Sequence, residues 1–440
     1  MNDSETIFAV SSGSGVSGIA VIRLSGPQAS RIVSDIAGVC PKPRRASVRR
    51  LRHPVSGDVI DHGLVLWMPG PHSATGEDVV EFHLHGSSAV IAAIFSVLEG
   101  YERVRLAEAG EFTRRAFVND RMDLVEVEGL GDLLQARTEQ QRRMAINHLS
   151  GGASLVYEAW RSDMLAIAAH LAAAIDFADE GGVAEAAMRD VRARTTALID
   201  ELSKAALQSD RAGVLRSGVK VVLAGAPNVG KSSLLNVIAA REAAIVSAQP
   251  GTTRDVIEVV IELGGIPVLF SDTAGLGPEG TDEIENIGMQ RTRLRVAEAD
   301  IFVWVTSPDV VSDLEGLMEP DLHVLNKVDL LGDRKAYDDR VIAVSTRTDA
   351  GVSRLVNELE RLVSERYGMM EHAPVVRSRQ KLAVEDSIRY LNESLQHDAG
   401  HIELAAECLR MACHAIARIT GRVDVEDLLG KIFSEFCIGK

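Results

Sequence analysis

Residues 1–118 alternate short apolar runs, such as GIAVIRLSG and GLVLWMPG, with turn clusters such as PGPHSATGED. Short runs between turn signals predict strands, and the longer apolar stretch SSAVIAAIFSVLEG predicts a helix among them. From about 120 to 210 the texture becomes helical: LVEVEGLGDLLQARTEQQRRMAINHL and EAWRSDMLAIAAHLAAAIDFA are long, periodic and rich in Ala and Leu. At 219 the strand-turn-helix pattern VKVVLAGAPNVGKSSLLNVIAA opens an α/β segment. It continues through PVLFSDTAG, ADIFVWVTS, HVLNKVDLL and VIAVSTRTDAG to a helix near 367. After MMEHAPVVRSRQ the helical texture returns and runs to the end. The pattern predicts a multidomain α/β plus all-α chain, with an N-terminal α/β domain at 1–118. A helical domain at 119–216 and 371–440 is interrupted by a second α/β domain at 217–370, an insertion that the proximity of domain termini permits.

Composition narrows the function classes. A chain of 440 residues exceeds one core, so two to four domains are expected. The net charge of -16 excludes a protein that coats nucleic acid through general phosphate neutralisation, so any RNA contact must be local. KPRRASVRRLR at 42–52 is the best local candidate; a solvated loop or strand face is the plainer reading of such a run. Only four cysteines occur (Cys40, Cys408, Cys413, Cys437), without a C-x-x-C pair, which fits a reducing cytosol. The acidic start MNDSETIFAV and the lack of any 18-residue apolar stretch argue against secretion or membrane spanning, so a cytoplasmic location is expected.

The chemistry is most explicit from Gly225 to Ser232, where GAPNVGKS fits the phosphate-loop pattern with a predicted strand before it and a helix after it. Backbone amides around Asn228, Val229, Gly230 and Ser233 would cradle phosphates, Lys231 would reach the terminal ones, and the Ser232 hydroxyl would bind Mg2+. Three further signals follow in order. GTTRD at 251–255 offers Thr253 as a second magnesium hydroxyl. DTAG at 272–275 brings Asp272, Thr273, Ala274 and Gly275 toward the metal and the terminal phosphate. NKVD at 326–329 and STR at 345–347 supply Asn326, Lys327, Asp329, Ser345, Thr346 and Arg347 for the base. Asp329 can accept both hydrogen bonds from the donor edge of guanine, whereas adenine would leave a buried carboxylate unpaired, which selects GTP. Ras-type enzymes orient water with a glutamine after DTAG, but Leu276 and Gly277 follow here. Asn228 can instead complete a monovalent-cation site that neutralises phosphate charge.

These strings, together with GVSGIAVIRLSG, PGPHSATGEDVVEFHLHG, GEFTRRAFVNDRMDL, REAAIV, DEIENIG and the terminal DLLGKIFSEFCIGK, span nearly the whole chain. On them the chain resembles the MnmE (TrmE) family of tRNA-modification GTPases. The resemblance implies an N-terminal α/β folate-binding domain that dimerises, a helical domain, and an inserted Ras-like P-loop GTPase domain. It implies K+ ligands at Asn228, Ser247, Gln249 and Thr252, and a water-orienting Glu285. A first-turn helix acid is the plainer reading of Glu285. It also places a tetrahydrofolate derivative, in the 5-formyl or methylene form, at Arg23, Glu81, Arg121 and Lys440. The implied reaction is installation of a carboxymethylaminomethyl group at carbon 5 of the wobble uridine of certain tRNAs. The implied partners are tRNA and the FAD-containing MnmG (GidA) subunit, with a homodimer forming a heterotetramer with that flavoprotein. Two departures stand out: Arg121 occupies a position where the family has Lys, and Gly277 and Pro278 fall where relatives carry an arginine.

The tail SEFCIGK places Cys437 four residues from the end, yet Ile438, Gly439 and Lys440 make a poor prenylation signal. Cys437 is then either a nucleophile for the one-carbon unit or the uridine, or a small hydrophobe packed between Phe436 and Ile438. Three extended residues span about 10 Å, so a tail docked by Lys440 would keep the thiol near a bound folate. Other motifs fail on context. Gly13, Gly15 and Gly18 spell G-x-G-x-x-G but precede a predicted strand, not a helix. His83 and His85 lack companions for a zinc set, and Cys408 and Cys413 read as packing residues. The alternative function is a GTP-controlled ribosome-assembly or RNA-binding switch without covalent chemistry. Such a factor calls for an RNA-binding module, whereas this chain ends in the acidic DVEDLLGKIFSEF.

Overall fold

The computed structural model describes residues 5–13, 15–176, 183–241, 258–272, 293–310, 318–331, 340–368, 373–397, 401–423, 426–434 and 436–440. It divides into two compact units: Met1–Gly131, His148–Thr195 and Arg389–Lys440 form one, and Asp132–Asn147 and Thr196–Ile388 the other. The fold is multidomain α/β plus helical, with two six-stranded sheets among the described residues.

In the first unit the elements run β1 (Thr6–Val10), β2 (Ser17–Ser25), α1 (Ala29–Ala37), β3 (Ser47–Arg52), β4 (Val59–Met68), β5 (Val79–Gly86), α2 (Ser88–Glu99), β6 (Val104–Leu106) and α3 (Glu111–Val118). Sheet order is β3-β4-β5-β2-β1-β6, antiparallel except for the β1/β6 pair. Along β2 and β5 buried and less buried positions alternate, so each strand has one core face. Ile22, Leu24, Val80, Phe82 and Leu84 face α1 and α2 in one buried core with Ile32, Ile36 and Leu98. The intervening Arg23 and Glu81 are cross-strand partners and so fall on the opposite face. There α3 contributes Phe112 to a smaller core with Ile7, Ala9 and Ala107. Because Gly13 and Gly15 lead into β2 and Gly18 lies within it, the dinucleotide reading of those glycines fails as expected.

The helices that follow are α4 (Leu124–Gln135), α5 (Glu139–Leu149), α6 (Gly152–Asp176) and α7 (Val183–Ser217). On α6 the buried residues Tyr157, Trp160, Met164, Ile167 and Leu171 recur at helical spacing, with Tyr157 and Trp160 edge to face at 5.5 Å. They pack against a later helix, Ile402–Thr420, which buries Ala405, Leu409, Ala412 and Ile416.

The second unit carries β7 (Val219–Ala224), α8 (Lys231–Arg241), β8 (Glu258–Leu263), β9 (Ile266–Asp272), β10 (Ile301–Thr306), β11 (Leu322–Leu325), β12 (Val341–Ala343) and α9 (Val352–Tyr367). Sheet order is β12-β11-β10-β7-β9-β8, parallel except for β8. Parallel strands need both faces covered, which explains why β10 is buried almost throughout, Ile301 to Val305. The chain ends in α10 (Ser378–Gln396), α11 (Ile402–Thr420) and α12 (Glu426–Ser434). Among the described residues no helix is long and apolar enough to cross a membrane.

An ionic network locks the first unit's small core. Glu111, at the start of α3, accepts from Arg105 (2.6 Å), Arg115 (3.2 Å) and the Glu108 amide (2.8 Å). Arg105 also holds Glu5, and Arg115 holds Glu77. Burial alone would raise the Glu111 carboxyl, but the Arg105 hydrogen bonds, the Glu108 amide and the two guanidinium charges outweigh it and leave the pKa lowered. A lowered folded-state value means that this stability is present above the ordinary carboxylate range and is lost as pH falls through the folded value. Glu111→Gln is expected to cost about 2–3 kcal/mol at neutral pH, and less than that in acid. Chemical denaturation at pH 7 and pH 3.5 checks both halves; an equal loss at the two pH values would contradict the linkage.

Candidate nucleotide site and terminal tail

The carboxyl ends of β7, β10, β11 and β12 bring the nucleotide residues together, as parallel α/β sheets do at their ligand edge. β7 runs into Gly225, and α8 begins at Lys231, so the phosphate loop lies between a buried strand and a helix N-terminus. Two glycines are demanded by close approach. A Cβ on Gly225 would meet the Val305 carbonyl oxygen at 2.1 Å. A Cβ on Gly230, whose φ is +92°, would meet Asn326 Nδ2 at 2.3 Å. Asn228 is exposed at the loop crest with φ +64°, a left-handed conformation that asparagine tolerates better than most residues. Lys231 is buried, and its ammonium donates to the Gly225 and Ala226 carbonyls at 2.8 and 2.9 Å. Val229 is fully buried, whereas Ser232 and Ser233 are exposed.

The base-recognition strings converge on that loop. Asn326 is fully buried; its Nδ2 donates to the Val229 carbonyl at 2.9 Å, and its Oδ1 accepts from the Thr346 amide at 3.4 Å. One side chain thus ties the phosphate loop to both base loops. Ser345 Oγ donates to Asp329 Oδ1 at 2.6 Å and accepts from the Thr348 amide at 3.3 Å. Asp329 itself is exposed. Its carboxylate is held at the rim of the site by Ser345. Lys327, at φ +58°, pairs with Asp309 at 2.8 Å, and that hydrogen bond leads the causes that lower the Asp309 carboxyl. Asp309 was not foreseen, because only the β10–β11 crossover brings it to Lys327. Arg347 is exposed at the same rim.

Asp272 ends β9 with its backbone registered beside Leu223, two residues before Gly225. Its side chain, and Ser247, Gln249, Thr252, Thr253, Thr273, Ala274, Gly275, Leu276, Gly277, Pro278 and Glu285, lie outside the described residues.

In the first unit Arg23 and Glu81 pair at 2.9 Å, His83 takes the other Glu81 oxygen at 3.2 Å, and the Arg23 guanidinium lies 5.8 Å from the Phe112 ring centroid. His85 is held separately by Asp61 at 2.8 Å. Arg121 is exposed and packs its stem near Gly76. Among the described residues, no hydrogen bond or ion pair joins Arg121 or Lys440 to the Arg23–Glu81 pair.

The tail folds back onto the chain's first strand. Gly439, at φ +97°, sits so close to Val10 that a Cβ would meet its carbonyl oxygen at 2.1 Å, and its own carbonyl accepts from Ser11 Oγ at 2.9 Å. Ile438 bridges to Ala109, and the Gly110 amide donates to the Cys437 carbonyl at 3.5 Å. The Lys440 amide also donates to that carbonyl at 3.2 Å, so the last four residues form a turn and not the extended segment expected. Cys437 is exposed, unlike half-buried Cys408 and Cys413, whose thiols burial pushes up. Packing between Phe436 and Ile438 therefore does not describe it. Ser11 escaped the sequence reading because 428 positions separate it from its partner.

A phosphate loop at the switch from β7 to α8, with an Asn-Lys-x-Asp base loop beside it, defines a P-loop GTPase. Family models named MnmE helical domain and GTP-binding protein TrmE N-terminus match residues 124–437 and 6–121. The tRNA modification GTPase MnmE of Methylobacterium sp. (strain 4-46) is 46% identical over 441 residues, covering 99% of this chain and 100% of that protein. The protein of the same name from Azorhizobium caulinodans is 45% identical over 437 residues, covering 99% of each. Among solved structures, the G domain of the T. maritima FeoB iron transporter matches at 23% identity with a TM-score of 0.23, covering 33% of this chain and 98% of that one. The chain belongs to the MnmE family of tRNA modification GTPases.

The base loop yields a direct test. Asp329→Asn turns one acceptor of the base-recognising carboxylate into a donor, so affinity should shift from GTP toward xanthosine triphosphate by at least about tenfold in each direction. Competition binding with the two nucleotides measures it; unchanged GTP affinity with no gain for xanthosine triphosphate would remove Asp329 from the base site.

Proposed function

We propose that this GTP hydrolase requires K+ and, with an FAD-containing flavoprotein partner, installs a carboxymethylaminomethyl group on the wobble uridine of tRNA from a tetrahydrofolate one-carbon unit. Homodimers assembling with the flavoprotein into a heterotetramer belong to the same reading. The supporting observation is the docked tail, which holds an exposed Cys437 and Lys440 on the unit that also carries the Arg23–Glu81 pair.

The residues suit their groups. The cradle at Gly225 and Gly230 excludes any Cβ, which leaves backbone amides free to approach phosphates, and Lys231 already lies within the loop. Ser232 would hold Mg2+ and exposed Asn228 would hold K+, supplying charge where related enzymes use an arginine. Glu285 remains the proposed water-positioning residue. Glu81 keeps acceptor capacity beyond Arg23 and His83, because a carboxylate offers about four lone-pair sites, and the donor-rich edge of a pterin matches it. Arg121 and Lys440 are the proposed partners for the folate carboxylates. When bound, the folate supplies the one-carbon unit; Cys437 is the nucleophile this chain provides.

Three outcomes follow. Replacing potassium by sodium should slow GTP turnover at least about tenfold, with little change in nucleotide affinity; equal rates in the two salts would discard the cation site. Cys437→Ser conserves volume while removing most nucleophilicity, so modified wobble uridine should disappear from tRNA with GTP hydrolysis intact. Normal modified-nucleoside levels in cells carrying only that variant would rule out a chemical role, and the same assay in cells without the protein separates modification from a binding switch. Gly439→Ala forces a Cβ into the Val10 carbonyl, so it should release the tail and reproduce the Cys437→Ser phenotype with the thiol still present.

A further inference from the structure

β3 is the free edge of the first unit's sheet, and it continues a loop of unusual charge. Lys42, Arg44, Arg45, Arg49, Arg50 and Arg52 fall within eleven residues that contain no acid, in a chain of net charge -16. Five of these cations are exposed and Arg49 is half-buried. Among the described residues none of them forms an ion pair. The nearby acids are engaged elsewhere: Asp61 takes the His85 ring and amide, and Asp58 takes the Ser56 hydroxyl. The arginines donate instead to a ring nitrogen and to carbonyls, Arg50 to His62 Nε2 at 2.8 Å, Arg52 to the Gly57 carbonyl at 2.8 Å and Arg49 to the Val48 carbonyl at 3.2 Å.

Two details show the strip to be costly to the fold. Arg49 Nε is buried without a hydrogen-bond partner, a condition that few native polar groups tolerate. Arg44 occupies the third position of a turn closed by the Arg45 amide on the Lys42 carbonyl, with φ +58°. Glycine is favoured at a third turn position with positive φ, and a bulky side chain is strained there. The Arg44 guanidinium is braced on the His72 carbonyl, and its amide on the Trp67 carbonyl at 2.8 Å.

We propose that this strip, residues 42–52 along the free β3 edge, is a docking surface for the phosphate backbone of RNA. The proposal rests on the reading of tRNA as the substrate and adds where this chain grips it. Edge strands are commonly guarded by a charge or two, most often lysine. Six cations, five of them arginine, exceed that need. Arginine's planar fork matches phosphate oxygens in a way that a lysine does not. Six cations gathered on one edge without an intervening acid also give an acidic chain a local line of positive charge for a polyanionic substrate.

The test uses the full chain and unfractionated bacterial tRNA as probe, with binding measured between 50 and 200 mM potassium chloride, a range of about fourfold chosen to expose counterion release. The quadruple variant R45Q/R49Q/R50Q/R52Q should lose at least about tenfold in affinity at the lower salt, and its salt slope should fall by about two to four. The matching R45K/R49K/R50K/R52K variant should keep most of the slope while losing part of the affinity. GTP turnover and the thermal midpoint, read on the same preparations, report that each variant is folded. If the wild type binds and the glutamine variant binds equally with an unchanged slope, the surface is wrong while the tRNA reading stands. Equal RNA binding combined with aggregation, or with loss of a protein partner, assigns the strip to edge protection or protein docking and overturns the proposal. Failure of the wild type itself to bind overturns the substrate reading together with the surface.

Discussion

The closure of the last four residues onto the first strand is the constraint on which the remaining organisation depends. Gly439 fits against Val10 only because it lacks a side chain; Ser11 donates to its carbonyl, and Ala109 pairs with the preceding Ile438. The first unit is built from segments on both sides of the second, so the chain leaves it and returns. The second unit, Thr196–Ile388 with Asp132–Asn147, is accordingly an insertion and not an appended module. Loop-closure entropy grows only slowly with length, by about 0.6 kcal/mol per doubling, so a whole domain can interrupt the helical part at modest cost.

The two units solve different problems with the same sheet size. In the second, parallel strands covered on both faces direct their carboxyl ends to one edge, and the site forms there from loops tied by buried Asn326. In the first, an antiparallel sheet is covered by helices on one face and has only a small core on the other. The less covered face can therefore carry charges such as Arg23 and Glu81. Their pairing, with Phe112 beside the guanidinium, limits the cost of holding ions near apolar surface. The neighbouring Glu111 network secures α3, from which Phe112 projects.

The sequence determined whatever depends on local geometry. Short apolar runs between turn clusters marked the strands of the first sheet, the strand before Gly225 and the helix after Lys231 fixed the phosphate loop, and NKVD was recognisable because its residues act within one turn. The strip at 42–52 was also legible as charge, since no acid interrupts it. The tertiary structure decided what depends on distant chain segments meeting. It put that strip on an unpaired sheet edge and brought Ser11 to Gly439 and Asp309 to Lys327. It also showed Asp329 at the rim beside Ser345 and Cys437 exposed, which local pattern leaves open between packing and chemistry. Burial is a property of what packs over a residue, and in this chain the covering segments lie too far along the sequence for local pattern to reveal them.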